Sequence, residues 1–238
     1  MSGDTGKRRA QPVGPTGDRA VRSPMTDEAR PTETRGRMIR GWTARFYDAM
    51  SWVCSLGGEA KTNREIIERA GIKPSERVLD VGCGTGAQTL PAAEVAGPSN
   101  VAGVDPSPDM LERARGKAAK KGLEIDFRSA AIEKLPFDDQ QFNVVLSSFM
   151  LHHLPDDVMR AGFAEIHRVL KHGGRLLAVD FTSGRSLIGR VMGLLGHAHR
   201  LEGLNGIKSM LAEAGFSTVE ELPSKQGHVF FLRAEKRG

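Results

Sequence analysis

Between Arg77 and Val179, short apolar runs alternate with longer stretches in which apolar residues return every three or four positions. The runs Arg77–Val81, Val101–Val104, Ile125–Arg128, Val144–Ser147 and Arg175–Val179 predict strands buried on both faces. The stretches between them, Gln88–Val95, Pro108–Lys120 and Asp156–Leu170, predict helices. Regular alternation of the two gives an α/β fold, a doubly wound and mostly parallel sheet with helices on both faces. The pattern then changes. A helix over Asn205–Ala214 stops at Gly215, and runs at Thr218–Leu222 and His228–Ala234 predict a C-terminal antiparallel hairpin at the sheet edge.

Ahead of the alternating region, Met38, Trp42, Phe46, Met50 and Val53 recur at helical spacing and predict an amphipathic helix ending at Gly57-Gly58. A second helix, Lys61–Ala70, is stopped by Gly71 and Pro74. Residues 1–34 contain no Phe, Trp, Tyr, Leu or Ile and carry four Pro and four Gly. Such a stretch buries too little apolar surface to offset its ordering entropy, so it reads as a disordered tail. The expected organisation is this tail followed by one domain over 35–238, with cap helices over 35–70 and a lid insertion over 183–204.

With 39% hydrophobic and 26% charged residues in 238, the chain has material for one globular core. No run reaches the roughly 18 consecutive apolar residues of a spanning helix, and no signal-peptide pattern opens the chain, so a cytoplasmic protein is expected. Cys54 and Cys83 are too few for a disulfide framework and lack zinc-site spacing, so no metal is expected. The formal charge of +5 is compatible with an anionic surface and decides nothing alone.

The chemistry concentrates where the first of these strands runs into Gly82-Cys83-Gly84-Thr85-Gly86 and a helix begins behind it. Glycines in a strand-to-helix turn let a ligand approach the backbone and permit positive φ. The second strand ends in Val104-Asp105-Pro106, which puts a carboxylate where such sheets meet a ribose. The spacing G-x-G-x-G is one residue shorter than the dinucleotide fingerprint of Rossmann sheets.

Val78–Gly86, Gly103-Val104-Asp105-Pro106-Ser107, Leu135-Pro136-Phe137, Leu151-His152-His153-Leu154 and Val169–Gly174, in this order, resemble the class I S-adenosylmethionine-dependent methyltransferases. Within them the chain is similar to the branch that includes ubiquinone and menaquinone biosynthesis methyltransferases. The resemblance implies a Rossmann-like sheet and S-adenosylmethionine as cofactor. It implies that Asp80, Gly82, Cys83, Gly84 and Gly86 hold the methionine part, that Asp105 binds the ribose, and that Pro106 and Met110 lie against adenine. In these relatives an acid usually stands four residues before Leu-Pro-Phe and bonds the adenine amino group. Ala131 stands there in this chain, leaving the backbone of Ala131 and Ile132 to recognise the base. Ser147 and Ser148 are placed to meet the cofactor's amino or carboxylate group, and Tyr47 matches a Tyr-Asp pair on a covering helix or is plain packing.

His152 and His153 follow the fourth strand, where a general base would face an acceptor, and read equally as one packed and one hydrogen-bonded residue. Leu187, Ile188, Val191, Met192, Leu194 and Leu195 recur at helical spacing among basic residues, with no acid between Gly184 and Arg200. That segment fits a lid over the acceptor, docking on an anionic membrane surface, or ordinary core packing. The expected acceptor is small, apolar or lipid-like: a quinone, phospholipid or natural product. A nucleic-acid acceptor is disfavoured, because no Asn-Pro-Pro-Tyr or Asp-Pro-Pro-Tyr follows the fourth strand and aromatics make up 5% of the chain. Arsenite is disfavoured because the second half holds no Cys. A protein methyltransferase and a non-catalytic cofactor-binding scaffold are the remaining alternatives. Oligomeric state is not written in the pattern.

Overall fold

The computed structural model describes Met1, Gly3 and residues 59–181, 203–225 and 229–238. The predicted helix over Met38–Val53 with Tyr47, the tail over 1–34 and the 183–204 insertion fall outside the described residues, apart from those two N-terminal positions and residues 203 and 204. All described secondary structure belongs to the unit Pro31–Gly238.

Seven strands form one sheet: β1 (Val78–Val81), β2 (Val101–Asp105), β3 (Asp126–Ser129), β4 (Phe142–Ser148), β5 (Leu170–Phe181), β6 (Thr218–Leu222) and β7 (Val229–Glu235). Their order is β3-β2-β1-β4-β5-β7-β6. The first five run parallel, β7 lies antiparallel beside β5, and β6 closes the edge antiparallel to β7. The doubly wound sheet with its antiparallel C-terminal pair is therefore the expected architecture, and β7 is the member of the pair that enters the sheet.

Side chains alternate faithfully between the faces. Leu79, Val145, Leu176, Ala178 and Leu232 pack on one face with α4 (Asp156–Val169) and α5 (Gly203–Glu213). Val78, Val144, Leu146, Leu177 and Phe231 pack on the other with α1 (Glu59–Ala70) and α2 (Thr89–Ala96). On that second side, Phe127 of β3 meets Leu111, Ala114 and Ala118 of α3 (Pro108–Lys120).

Helix boundaries follow from local chemistry. The Ser107 side chain caps α3, Pro108 supplies its preset φ, and Lys117 and Lys120 sit in the last turn, at the negative end of the helix dipole. Arg175 reaches from β5 to the last carbonyls of α1, donating to Ala70 O at 2.7 Å and Gly71 O at 2.6 Å.

Two expectations need correction. The strand near Ile125–Arg128 is not buried on both faces: as the sheet's outer strand, Asp126–Ser129 buries only Phe127. The helix ends at Val169 and β5 begins at Leu170, well before the expected Arg175. Leu170 already pairs with Phe142 across an irregular register, and Gly173 and Gly174 exchange backbone bonds with Lys236. Pairing partners distant in sequence thus carry a polar Lys-His-Gly-Gly stretch into the ladder.

Candidate functional site

The carboxyl ends of β1, β2, β4 and β5 converge on one edge of the sheet, the edge where open α/β sheets bind ligands. At β1 the chain turns sharply. Gly82 and Cys83 both donate their N–H to Val104 O, at 2.8 and 3.0 Å, and Gly86 N–H closes the turn on Cys83 O at 2.9 Å. Gly82 and Gly84 have φ of 72° and 51°, a region costly for side-chain-bearing residues. A Cβ on Gly82 would lie 2.5 Å from Met150 Sδ, so only glycine lets Met150 fold over the turn. A Cβ on Gly84 would meet nothing within 4 Å. It would stand in an open cradle above the backbone.

Two carboxylates support this turn from below. Asp105 accepts Gly84 N–H at 2.9 Å on Oδ2 and Ser107 N–H at 2.8 Å on Oδ1, tying the β1 and β2 loops together. Burial nevertheless raises its pKa. Asp80 is fully buried at the end of β1; Thr89 Oγ1 donates to its Oδ2 at 2.6 Å, and its Oδ1 has no partner among the described residues. Burial pushes the Asp80 carboxyl up to about 7, with the Asp105 charge adding to the rise against the Thr89 bond. A buried pair of carboxylates with one orphan oxygen suits a cationic ligand, since a positive group would supply both the missing hydrogen bond and the missing charge. S-adenosylmethionine, with its ammonium and sulfonium, fits on that ground.

Beside the turn, between the β1 and β2 ends and the start of α4, lies a shallow cleft. Pro106, Ala131 and Ile132 line it, together with Met150, His153 and Glu133. Glu133, partly buried, is the one carboxylate on this wall, two residues beyond the position where Ala131 stands. Met110 is buried in the first turn of α3 and does not line the cleft. Arg168 of α4 clamps the loop behind this wall, donating to Phe137 O at 2.8 Å and Leu135 O at 3.1 Å, while Glu165 accepts Leu135 N–H at 2.8 Å.

Cys83 is buried and its thiol pKa is pushed well up by burial, so it serves as a small residue under the turn and not as a nucleophile.

At β4 the chain reverses differently. Phe149 adopts φ 55° with its N–H on Val179 O at 2.8 Å, a conformation costing a bulky residue about 1–2 kcal/mol. The short helix Leu151–His153 follows. His152 N–H donates to Asp180 Oδ2 at 3.0 Å, and its Nδ1 lies 2.7 Å from Asp180 Oδ1. Asp180, completely buried at the end of β5, also accepts Phe181 N–H at 2.7 Å. An ionised carboxylate only accepts, so Nδ1 carries the hydrogen, and in the neutral imidazole Nε2 keeps a lone pair. The His153 ring sits 3.8 Å from the His152 ring, centroid to centroid, and faces the cleft. The adjacent histidines are therefore divided between two surroundings. Ser148, partly buried, closes β4; its neighbour Ser147 is fully buried with an unpartnered hydroxyl among the described residues.

Sequence reasoning missed Asp180, Met150, Glu133 and Gln88, whose Nε2 bonds Asn63 at 2.6 Å while its Oε1 is unpartnered among the described residues. Only Asp180 left a trace, as an acid closing an apolar strand.

A family profile described as a methyltransferase domain matches residues 78–174. The chain is 33% identical over 152 residues to the ubiquinone/menaquinone biosynthesis C-methyltransferase UbiE of Citrifermentans bemidjiense, covering 63% of this chain and 64% of that one. That match thus spans just under two thirds of the relative's length. The demethylmenaquinone methyltransferase of Thermus thermophilus is 32% identical over 200 residues, covering 74% of this chain and 90% of the relative. An arsenite methyltransferase of Halobacterium salinarum is 34% identical over 167 residues, covering 68% and 42%. Among solved structures, phosphoethanolamine N-methyltransferase 2 of Haemonchus contortus in complex with S-adenosyl-L-methionine shares the fold, with a TM-score of 0.64, 21% identity, and coverage of 75% of this chain and 53% of that one.

Proposed function

Because the chain belongs to the class I S-adenosylmethionine-dependent methyltransferases, in the branch of the ubiquinone and menaquinone biosynthesis enzymes, we propose that it methylates a hydroquinone-type aromatic ring. The observation that carries this reading is His152, held by Asp180 through Nδ1 at the carboxyl edge of the sheet.

Asp80 and the Gly82–Gly86 backbone would hold the methionine part of the cofactor, with Ser147 or Ser148 beside it. Asp105 would take the ribose, and the wall of Pro106, Ala131 and Ile132 the adenine, where Glu133 supplies the carboxylate that Ala131 lacks. When bound, S-adenosylmethionine supplies an electrophilic methyl group. His152 Nε2 would accept the proton of a ring hydroxyl, which raises electron density on the ring carbon to be methylated; that carbon would then shed its own hydrogen as a proton to solvent, restoring the aromatic ring, while Asp180 holds the imidazole in the required tautomer and stabilises its protonated form. Holding partners in near-attack geometry is worth about 7–11 kcal/mol.

Arsenite is not favoured, since its thiolate ligands would have to come from Cys54 and the buried Cys83. Transfer of labelled methyl from the cofactor into quinone, phospholipid, sterol and amine extracts tests the assignment. Label should enter the reduced quinone fraction; label confined to phospholipid or amines contradicts it, and no label anywhere favours a scaffold.

Among the described residues no helix is long and apolar enough to cross a membrane. The basic apolar segment within 183–204 supports a cytoplasmic protein that docks on anionic membranes, where a lipid-linked ring resides. It should sediment with anionic liposomes at low salt and release at high salt; indifference to lipid charge removes this part.

A further inference from the structure

Phe181 is the only aromatic side chain exposed among the described residues, 38% accessible at the very end of β5. Its ring packs on Phe149 with centroids 4.9 Å apart, and the His152 ring meets it edge-on at 5.5 Å. Phe149 occupies a position where φ is 55°, which glycine would accept without strain. The Phe149 ring also packs against the core under β4 and β5, which fixes its orientation beneath Phe181. The three rings stand over β4 and β5, and the His153 ring, 3.8 Å from His152, joins them to the cleft beside the glycine turn.

We propose that Phe149 and Phe181 form the acceptor's stacking wall, selecting a flat aromatic ring and laying its hydroxyl against His152. This rests on the function proposed above and assigns two specificity-determining residues to it. The chemistry matches the geometry. Offset or edge-to-face contact with a π system rewards an aromatic ring over a saturated one of the same size. Asp180 fixes His152 from the core side, through both its backbone N–H and its Nδ1, so the base and the wall come from the same two strand ends.

The test uses 2-naphthol and its saturated counterpart decahydro-2-naphthol, titrated by calorimetry into the full chain loaded with S-adenosylhomocysteine. Wild type should bind 2-naphthol at least tenfold tighter than the saturated alcohol. Phe149→Gly and Phe181→Leu should each weaken 2-naphthol by roughly threefold to tenfold. Affinity for the saturated alcohol and for S-adenosylmethionine should stay unchanged, the latter reporting that the variants fold. Equal binding of the two alcohols by wild type, no binding of 2-naphthol, or unaltered 2-naphthol affinity in both variants overturns the wall. Failure of the functional reading looks different: 2-naphthol binds in the wall-dependent manner while no reduced quinone is methylated.

Discussion

The β1–β2 edge and the β4–β5 edge of the same sheet are built from different materials. At β1–β2 the chain offers backbone: glycines at positive φ, N–H groups turned onto Val104 and Asp105, and a cradle above Gly84 that any Cβ would fill. At β4–β5 it offers side chains: an imidazole on a buried carboxylate and two phenyl rings. A backbone site tolerates few substitutions and suits a ligand that never changes. A side-chain site is altered by single substitutions, which suits an acceptor that differs between relatives. The relatives' names carry both quinone and arsenite substrates.

The largest expected effect lies on the side-chain edge. Asp180→Asn should lower kcat by about 10²- to 10⁴-fold, because an amide can present its N–H to Nδ1 and favour the tautomer whose Nε2 cannot take a proton. Affinity for S-adenosylmethionine should be unaltered.

Gly84→Ala attacks the backbone edge. A φ of 51° strains alanine, and the new methyl occupies the cradle. Cofactor affinity should fall by roughly 10- to 100-fold, with acceptor binding spared. Binding within twofold of wild type by calorimetry would place the cofactor elsewhere.

A smaller effect comes from Asp80. Its pKa in the folded protein, about 7, lies above the ordinary 3.8, so the free protein loses stability as pH climbs through that window and the carboxylate ionises without a partner. A cationic ligand reverses this penalty by binding the ionised form. Affinity for S-adenosylmethionine should therefore rise by up to roughly tenfold per pH unit toward 7 and then level. In Asp80→Asn the profile should be flat; an unchanged slope in that variant would assign the titration to another group.

The same contrast explains what the sequence could tell. Val78 to Gly86 and Val104 to Pro106 are contiguous, and their geometry is a property of a few neighbouring residues, so the turn and its two acids were readable in order. The alternation of Leu79 and Val81 against Val78 likewise needed no tertiary knowledge. His152 and Asp180 are 28 residues apart and meet only because β4 and β5 pair in parallel, a fact of the sheet and not of either segment. Phe149 looks like an ordinary strand residue until the backbone reverses beneath it. The early start of β5 was hidden for the same reason: Lys171 to Gly174 are polar and flexible locally, and become strand through Phe142 and Lys236.

One crossed measurement tests the separation of the two edges. For Asp105→Ala and His152→Ala side by side, S-adenosylmethionine affinity is measured by calorimetry and methyl transfer to reduced naphthoquinone in a single turnover at saturating cofactor. Asp105→Ala should lose roughly 10- to 100-fold in affinity, having removed a carboxylate and two N–H acceptors, while regaining most of its rate at saturation. His152→Ala should keep its affinity within twofold and lose about 10²-fold or more in rate. If His152→Ala turns over at the wild-type rate, or if both variants lose affinity and rate together, the division of one sheet edge into a backbone half for the cofactor and a side-chain half for the acceptor is wrong.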